Sequence, residues 1–140
     1  MIRSLLALVT GIGLGAIGMA AVEHAGHGNV RTIAERDIVE KLDGKDSKVS
    51  FVEVSLEPGE ANAPHRHPGP VFGYVLEGEF EWAINKDPAK VFKTGDTFYE
   101  PAGCLHRVSK SAAKKGKTRV LAVVVWPRDS KQLVIPEVAK

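Results

Sequence analysis

The sequence predicts an all-β fold, a closed barrel or double-sheet jelly roll, behind a removable N-terminal segment. Three observations carry this expectation. Short apolar runs, most with the period of two expected of strands, follow one another after residue 48. Glycine and proline mark their boundaries, and no stretch in that region sustains a capped 3.6-residue period. The one run whose spacing admits a short helix is Ile33 to Leu42. Barrels and jelly rolls are the architectures that leave many short strands without long open edges.

Residues 1–20 hold a single charge, Arg3, ahead of an uncharged run from Leu5 through Ala21. Small residues Gly18 and Ala20 permit cleavage after Ala20, so the segment reads as a signal peptide. The run is near the lower length limit for a bilayer span, which leaves an uncleaved anchor as the alternative. Either way the remainder is expected to be periplasmic or secreted, with no stable membrane insertion once the signal is cleaved. Residues 21–48 form a leader and N-terminal extension, 49–126 the barrel, and 127–140 a C-terminal tail. His24 and His27 lie among small residues of the leader, a tether rather than a fixed site, with loose metal capture as the alternative.

The chain of 140 residues has room for one domain. After cleavage, ~120 residues can bury roughly two-thirds of their unfolded surface. Cys104 is the only cysteine, so no intramolecular disulfide forms, and stability comes from packing and any bound metal. Removing Arg3 with the signal leaves 18 Lys and Arg against 17 Asp and Glu. That near-neutrality argues against a nucleic-acid partner. Lys110, Lys114, Lys115, Lys117 and Arg119 cluster, and read as a solvated loop between strands rather than an anion-binding patch.

In Val49 to Leu56, Val52, Val54 and Leu56 alternate with Glu53 and Ser55, the pattern of a half-buried strand. Val71 to Leu76 is nearly unbroken apolar sequence; Glu77-Gly78 then offers a tight turn into Phe80, Trp82 and Ile84, which share a face, so the pair is expected to form a hairpin. Asn85 to Ala89 turns the chain again. Val91–Lys93, Thr97–Glu100, His106–Val108 and Val120–Trp126 supply further strands. The runs at 71–76 and 120–126 predict strands covered on both faces, one cover being a second copy in a homodimer. Phe51, Phe80, Trp82, Phe98 and Trp126 read as core.

His65-Arg66-His67 carries the strongest chemical signal. On an extended strand the two imidazoles share a face and can share one ion, while Arg66 points away. A second block follows, Gly95, Pro101, Gly103 and His106, whose turn, bend and return strand can bring a third imidazole beside the first two. Glu100 has the parity of Phe98 and so faces inward if Phe98 does. It is then a fourth ligand, an acceptor for a histidine N–H or a general base; the alternative is a rim carboxylate paired with Arg66 or Arg107. Val71, Phe72 and Tyr74 are candidates for the pocket mouth, and Cys104 for inert burial near it.

The two blocks, Gly59-x5-His65-x-His67 with Gly78, and Gly95-x5-Pro101-x-Gly103-x2-His106, resemble the paired motifs of the cupin superfamily over about residues 50–126. The resemblance implies a double-stranded β-helix, the cupin jelly-roll barrel, with His65, His67 and His106 as ligands of one divalent metal ion. The motif-one glutamate falls at Val71, which cannot ligate, and the final asparagine of motif two is Lys110. Three neutral imidazoles leave the ion its full charge and open positions that favour an anionic chelating ligand; tetrahedral zinc with a bound water is the competing outcome. Three-histidine cupins lacking that glutamate include diketone-cleaving and thiol dioxygenases, which use ferrous iron. Fe(II) is therefore the favoured cofactor, with Zn, Mn, Ni or Cu as alternatives. Two functions follow: a metal-dependent dioxygenase acting on a small-molecule ligand, with Glu100 as its catalytic group, or a non-catalytic module for sensing, storage or delivery.

Overall fold

The computed structural model describes residues 29–137; the signal segment, His24 and His27 lie outside them. The described residues form ten strands and no helix: β1 (Val30–Leu42), β2 (Lys45–Leu56), β3 (His65–Arg66), β4 (Val71–Glu77), β5 (Glu79–Ile84), β6 (Lys90–Lys93), β7 (Thr97–Glu100), β8 (His106–Ser111), β9 (Thr118–Pro127) and β10 (Ile135–Pro136). Two five-stranded sheets, ordered β1-β2-β9-β4-β7 and β10-β3-β8-β5-β6, face each other with antiparallel pairing throughout. This is the double-sheet barrel expected. Among the described residues no helix is long and apolar enough to cross a membrane.

Ile33 to Leu42 is strand, not helix. It runs within β1, paired with β2 from Val30 opposite Val54 to Leu42 opposite Lys45. Asp43 and Gly44, at φ 50° and 77°, close the two strands in a two-residue turn whose left-handed geometry matches strand twist. The sheet therefore begins ahead of residue 49. Pairing along β1 outweighs its weak helical spacing, because only that pairing satisfies the backbone groups on the free side of β2.

The hairpin expected at Glu77-Gly78 is also absent. β4 pairs with β9 and β7 in one sheet, whereas β5 pairs with β8 and β6 in the other. Gly78 is a corner where the chain changes sheets. Its φ is 79°, and a Cβ there would come within 2.6 Å of the Lys117 carbonyl oxygen. The corner keeps Val75 and Phe80 facing the same interior, each no more than 2% exposed.

Between the sheets, Leu56, Val75, Phe80, Trp82, Ile84, Phe98 and Val120 form the main apolar cluster, with Cys104 packed against it. A second cluster joins Val71, Val124 and Trp126 to Leu133. The Trp126 indole donates to Ser50 Oγ at 2.9 Å, so its buried N–H is satisfied. Phe51 departs from expectation: it points outward and is 36% exposed, since its neighbours Val52 and Ser50 take the inward positions. Phe72, Tyr74 and Tyr99 also lie on the outer face, so in the single chain β4 is covered on one side only. The 112–117 loop between β8 and β9 exposes Lys114, Lys115 and Lys117, while Arg119 pairs with Glu53 and Lys117 with Glu57.

Gly73 makes a close contact with the main apolar cluster. A Cβ on it would lie 2.0 Å from the Phe98 ring, so the ring rests on the bare backbone of β4. Gly73→Ala should therefore lower stability by about 1–3 kcal/mol, the usual cost of overpacking a tight core. Denaturant unfolding of the metal-free protein measures it, and unchanged stability would mean that Phe98 does not lie over Gly73.

Candidate metal centre

The smallest strand places the chemistry. β3 contributes His65 and Arg66, and His65 sits directly opposite His106, the first residue of β8. His67 follows with its ring on the His65 side, at 4.9 Å between centroids. Arg66 takes the outer side, where it pairs with Glu137 and donates to the Gly103 carbonyl. One ring nitrogen from each of His65, His67 and His106 lies within 4.8 Å of the other two. Strand pairing thus brings both motif blocks to one point.

Hydrogen bonds dictate which nitrogens are free. His65 Nδ1 lies 2.8 Å from the Ala63 carbonyl oxygen, and His67 Nδ1 lies 2.8 Å from that of Leu133. A carbonyl only accepts, so both rings carry their proton on Nδ1 and present bare Nε2 lone pairs. Those two Nε2 atoms face each other at 3.1 Å. Burial, opposed by the Ala63 carbonyl, lowers the His65 pKa. Burial and the neighbouring imidazole charge bring His67 down to about 4 and His106 to about 3. At neutral pH, then, no proton is available to fill the gap between the lone pairs. Two adjacent nitrogen ligands ~2.1 Å from one ion stand roughly 3.0–3.4 Å apart, so the separation fits a shared metal.

His106 adds to that fit. It is 5% exposed, and neither of its ring nitrogens has an aligned hydrogen bond. Buried polar atoms without partners are rare, and one nitrogen of this ring lies within 4.8 Å of the His65 and His67 nitrogens.

Glu100 is 2% exposed and not on the rim. Oε1 accepts from Trp82 Nε1 at 3.0 Å and lies 3.1 Å from His106 Nδ1. Oε2 has no hydrogen-bond partner and stands 4.0 Å from His67 Nε2. Arg66 and Arg107 bond elsewhere, Arg107 to the Asn85 and Asp87 carbonyls. Glu100 is the cross-strand partner of Val71, the residue that occupies the usual glutamate position. The carboxyl therefore lies one strand over from Val71, at the same level. Burial raises its pKa to about 7 against the lowering pull of the Trp82 N–H, so around neutral pH the carboxyl is partly protonated.

These groups line one wall of a cavity of about 700 Å³. Val52, Val71, Phe80, Phe98, Val120 and Val124 make its apolar sides, with Arg31, Thr32, Asn62, Ser109 and Gln132 as polar exceptions. Phe72 and Tyr74, expected at the mouth, face away because the alternation of β4 turns Val71, Gly73 and Val75 inward instead. Trp82 and the Leu133 carbonyl were not anticipated as parts of the site. The parity of Trp82 with Phe80 already pointed it inward; a backbone carbonyl leaves no mark in sequence. Burial, then the charge of Glu100, raises the Cys104 pKa to about 11, an inert thiol.

Residues 52–124, more than half of the chain, match the family model described as "Cupin domain". Among curated proteins the chain is similar to a germin-like protein of Arabidopsis thaliana, 38% identical over 96 residues, covering 64% of this chain and 42% of that one. It is also similar to an oxalate oxidase of Hordeum vulgare, 33% identical over 86 residues, covering 56% and 43% respectively. The chain spans less than half the length of these relatives. Among solved structures, a double-stranded β-helix protein from Klebsiella pneumoniae superposes with TM-score 0.58 at 18% identity, covering 81% of this chain and 90% of that one. A polyketide cyclase from Streptomyces resistomycificus gives TM-score 0.56 at 21% identity, with 85% and 78% covered. At such identities these structures speak to the fold.

The pKa shifts give the metal-free site a defined pH dependence. Unfolded imidazoles take protons near 6.5 and the folded ones only near 4 and 3, so acidification below 6.5 favours unfolding. Glu100 works in the other direction: its folded pKa of about 7 against 4.5 means that raising the pH from 4.5 through 7 costs stability, on the order of 3 kcal/mol when complete. Glu100→Gln keeps an acceptor for Trp82 and removes the buried charge. In the metal-free protein it should melt above the parent at about pH 8, with the gap closing by about pH 4.5; a variant less stable than the parent at both would reverse this reading.

Proposed function

The chain belongs to the cupin family, and we propose that it is an exported metal-binding cupin, a dioxygenase-type enzyme acting on a small chelating monoanion. The carrying observation is the pair of bare His65 and His67 Nε2 lone pairs at 3.1 Å, an arrangement that an ion stabilises and an empty site does not. His65, His67 and His106 hold one divalent ion, Fe(II) by preference. When bound, the ion supplies Lewis acidity toward a chelating ligand and, as iron, redox chemistry toward O₂.

The remaining roles fall to the side chains around the three histidines. The unpartnered Glu100 Oε2 accepts the proton that a ligand gives up on chelation, and Trp82, bonded to Oε1, holds the carboxyl in that orientation. The apolar walls take the body of the ligand and keep water from the reacting atoms. Arg31, the cation at the cavity, is mostly exposed and paired with Glu53, so no buried positive side chain waits for a second anionic group. Enolates of 1,3-diketones and phenolates meet these conditions. Oxalate, a dianion without apolar surface, does not, despite the similarity to proteins named for oxidising it. The outer patch of Phe72, Tyr74 and Tyr99 supports association with a second copy.

Protein recovered from the periplasm tests the whole reading. We expect a chain beginning at Ala21, a dimer by sedimentation, and about one divalent ion per chain by elemental analysis. His65→Ala and His106→Ala should each lose the ion. With ferrous iron, diketones or phenolics should drive oxygen uptake and oxalate should not. Zinc occupancy without oxygen uptake for any of them would remove the dioxygenase, and metal retained by both histidine variants would remove the site.

A further inference from the structure

Residues 127–140 read from sequence as a tail, yet Gln132–Glu137 lies against the site. Gln132, Leu133, Val134 and Pro136 line the cavity. β10 lies beside β3, with Ile135 opposite Arg66 and Pro136 opposite His65. The Glu137 N–H donates to the Pro64 carbonyl at 3.1 Å, and the Glu137 carboxylate takes two hydrogen bonds from Arg66, at 3.0 and 3.2 Å. Leu133 supplies the carbonyl that accepts from His67 Nδ1.

The pattern of these contacts is unusual in one respect. Each of them lands on the segment Pro64–His67, which carries two of the three imidazoles. Arg66 also donates to the Gly103 carbonyl, and the Gly103 N–H donates to the His67 carbonyl, so the same knot reaches the bend that leads to His106. Apart from Leu133, which packs against Val71, Val124 and Trp126, the strap has little hold of its own. β10 is two residues long, and Val134 and Ile135 are 41% and 42% exposed. A short edge segment with few buried apolar contacts opens at low free energy. Opening it would remove the acceptor of His67 Nδ1 and one cavity wall together.

Resting on the metal reading above, we infer that Gln132–Glu137 is a latch for the site: the Leu133 carbonyl holds His67 with Nε2 free to ligate, and the Arg66–Glu137 pair sets how long the ion is retained. Leu133, Arg66 and Glu137 are positioning residues. Loss of the group that orients a ligating histidine typically costs 10–100-fold in metal affinity. An exposed ion pair is worth up to about 1 kcal/mol, or about five-fold in a rate of release.

The test uses the parent, a chain ending at Lys131, Glu137→Lys, and the exchanged pair R66E/E137K, each loaded with zinc as a spectroscopically silent probe. Release into excess chelator is timed, zinc affinity is titrated, and the metal-free melting temperature is recorded. The shortened chain should bind zinc 10–100-fold more weakly. Glu137→Lys should release it about five-fold faster with the metal-free melting temperature nearly unchanged, and the exchanged pair should return within about three-fold of the parent. Should the shortened chain fail to fold, the two point-substituted chains still decide. Parent-like release from Glu137→Lys, or faster release that the exchanged pair does not recover, overturns the latch. A parent that takes up no zinc overturns the metal reading instead, so the two failures are distinct.

Discussion

The structure turns on a conflict between two lone pairs. His65 and His67 each donate Nδ1–H to a backbone carbonyl, and this commits both Nε2 atoms to face each other unprotonated at 3.1 Å. Left alone, that contact is repulsive, and burial keeps the rings from relieving it by taking up a proton. Evolution of a merely structural histidine pair would place an N–H between the nitrogens. The arrangement instead suits a site that can hold a cation, with the second nitrogen of His65 and of His67 already fixed.

The barrel supplies the rigidity this requires. β3 is two residues long, but its pairing with β8 sets His65 directly opposite His106, so the two are tied by register rather than by loop conformation. Register also explains the acidic group. Val71 and Glu100 are cross-strand partners, and side chains opposite one another on one face are close neighbours, so the carboxyl on β7 sits beside Val71 of β4. That carboxyl lies against Trp82 and His106 in an apolar surrounding, which is why it holds its proton to about pH 7 in the absence of an ion. Position and protonation both follow from the sheet.

Much of this was legible in sequence. Apolar runs named β2 and β4 to β9, and the shared parity of Phe98 and Glu100 came out directly, because alternation is a local property of a strand. What depended on partners was less readable. Asp43-Gly44 is a strong turn signal, but the run before it also admits a helical spacing, and only pairing with β2 decides between them. Glu77-Gly78 looks like a hairpin because a sheet-switching corner uses the same left-handed glycine. Phe72 and Tyr74 were placed at the pocket since they follow the histidines; the alternation of β4 sends them outward. The C-terminal strap gave no signal, as its part in the site is played by a carbonyl that every residue has.

The imidazole tautomers of the metal-free protein test the central constraint most directly. Long-range ¹H–¹⁵N correlation near pH 7.5 reads which nitrogen of each ring is protonated. The account predicts that His65 and His67 both carry the proton on Nδ1, with both Nε2 resonances shifting together to saturation at about one equivalent of a diamagnetic divalent ion. An Nε2–H on either ring, bridging the pair and undisturbed by added metal, would contradict it.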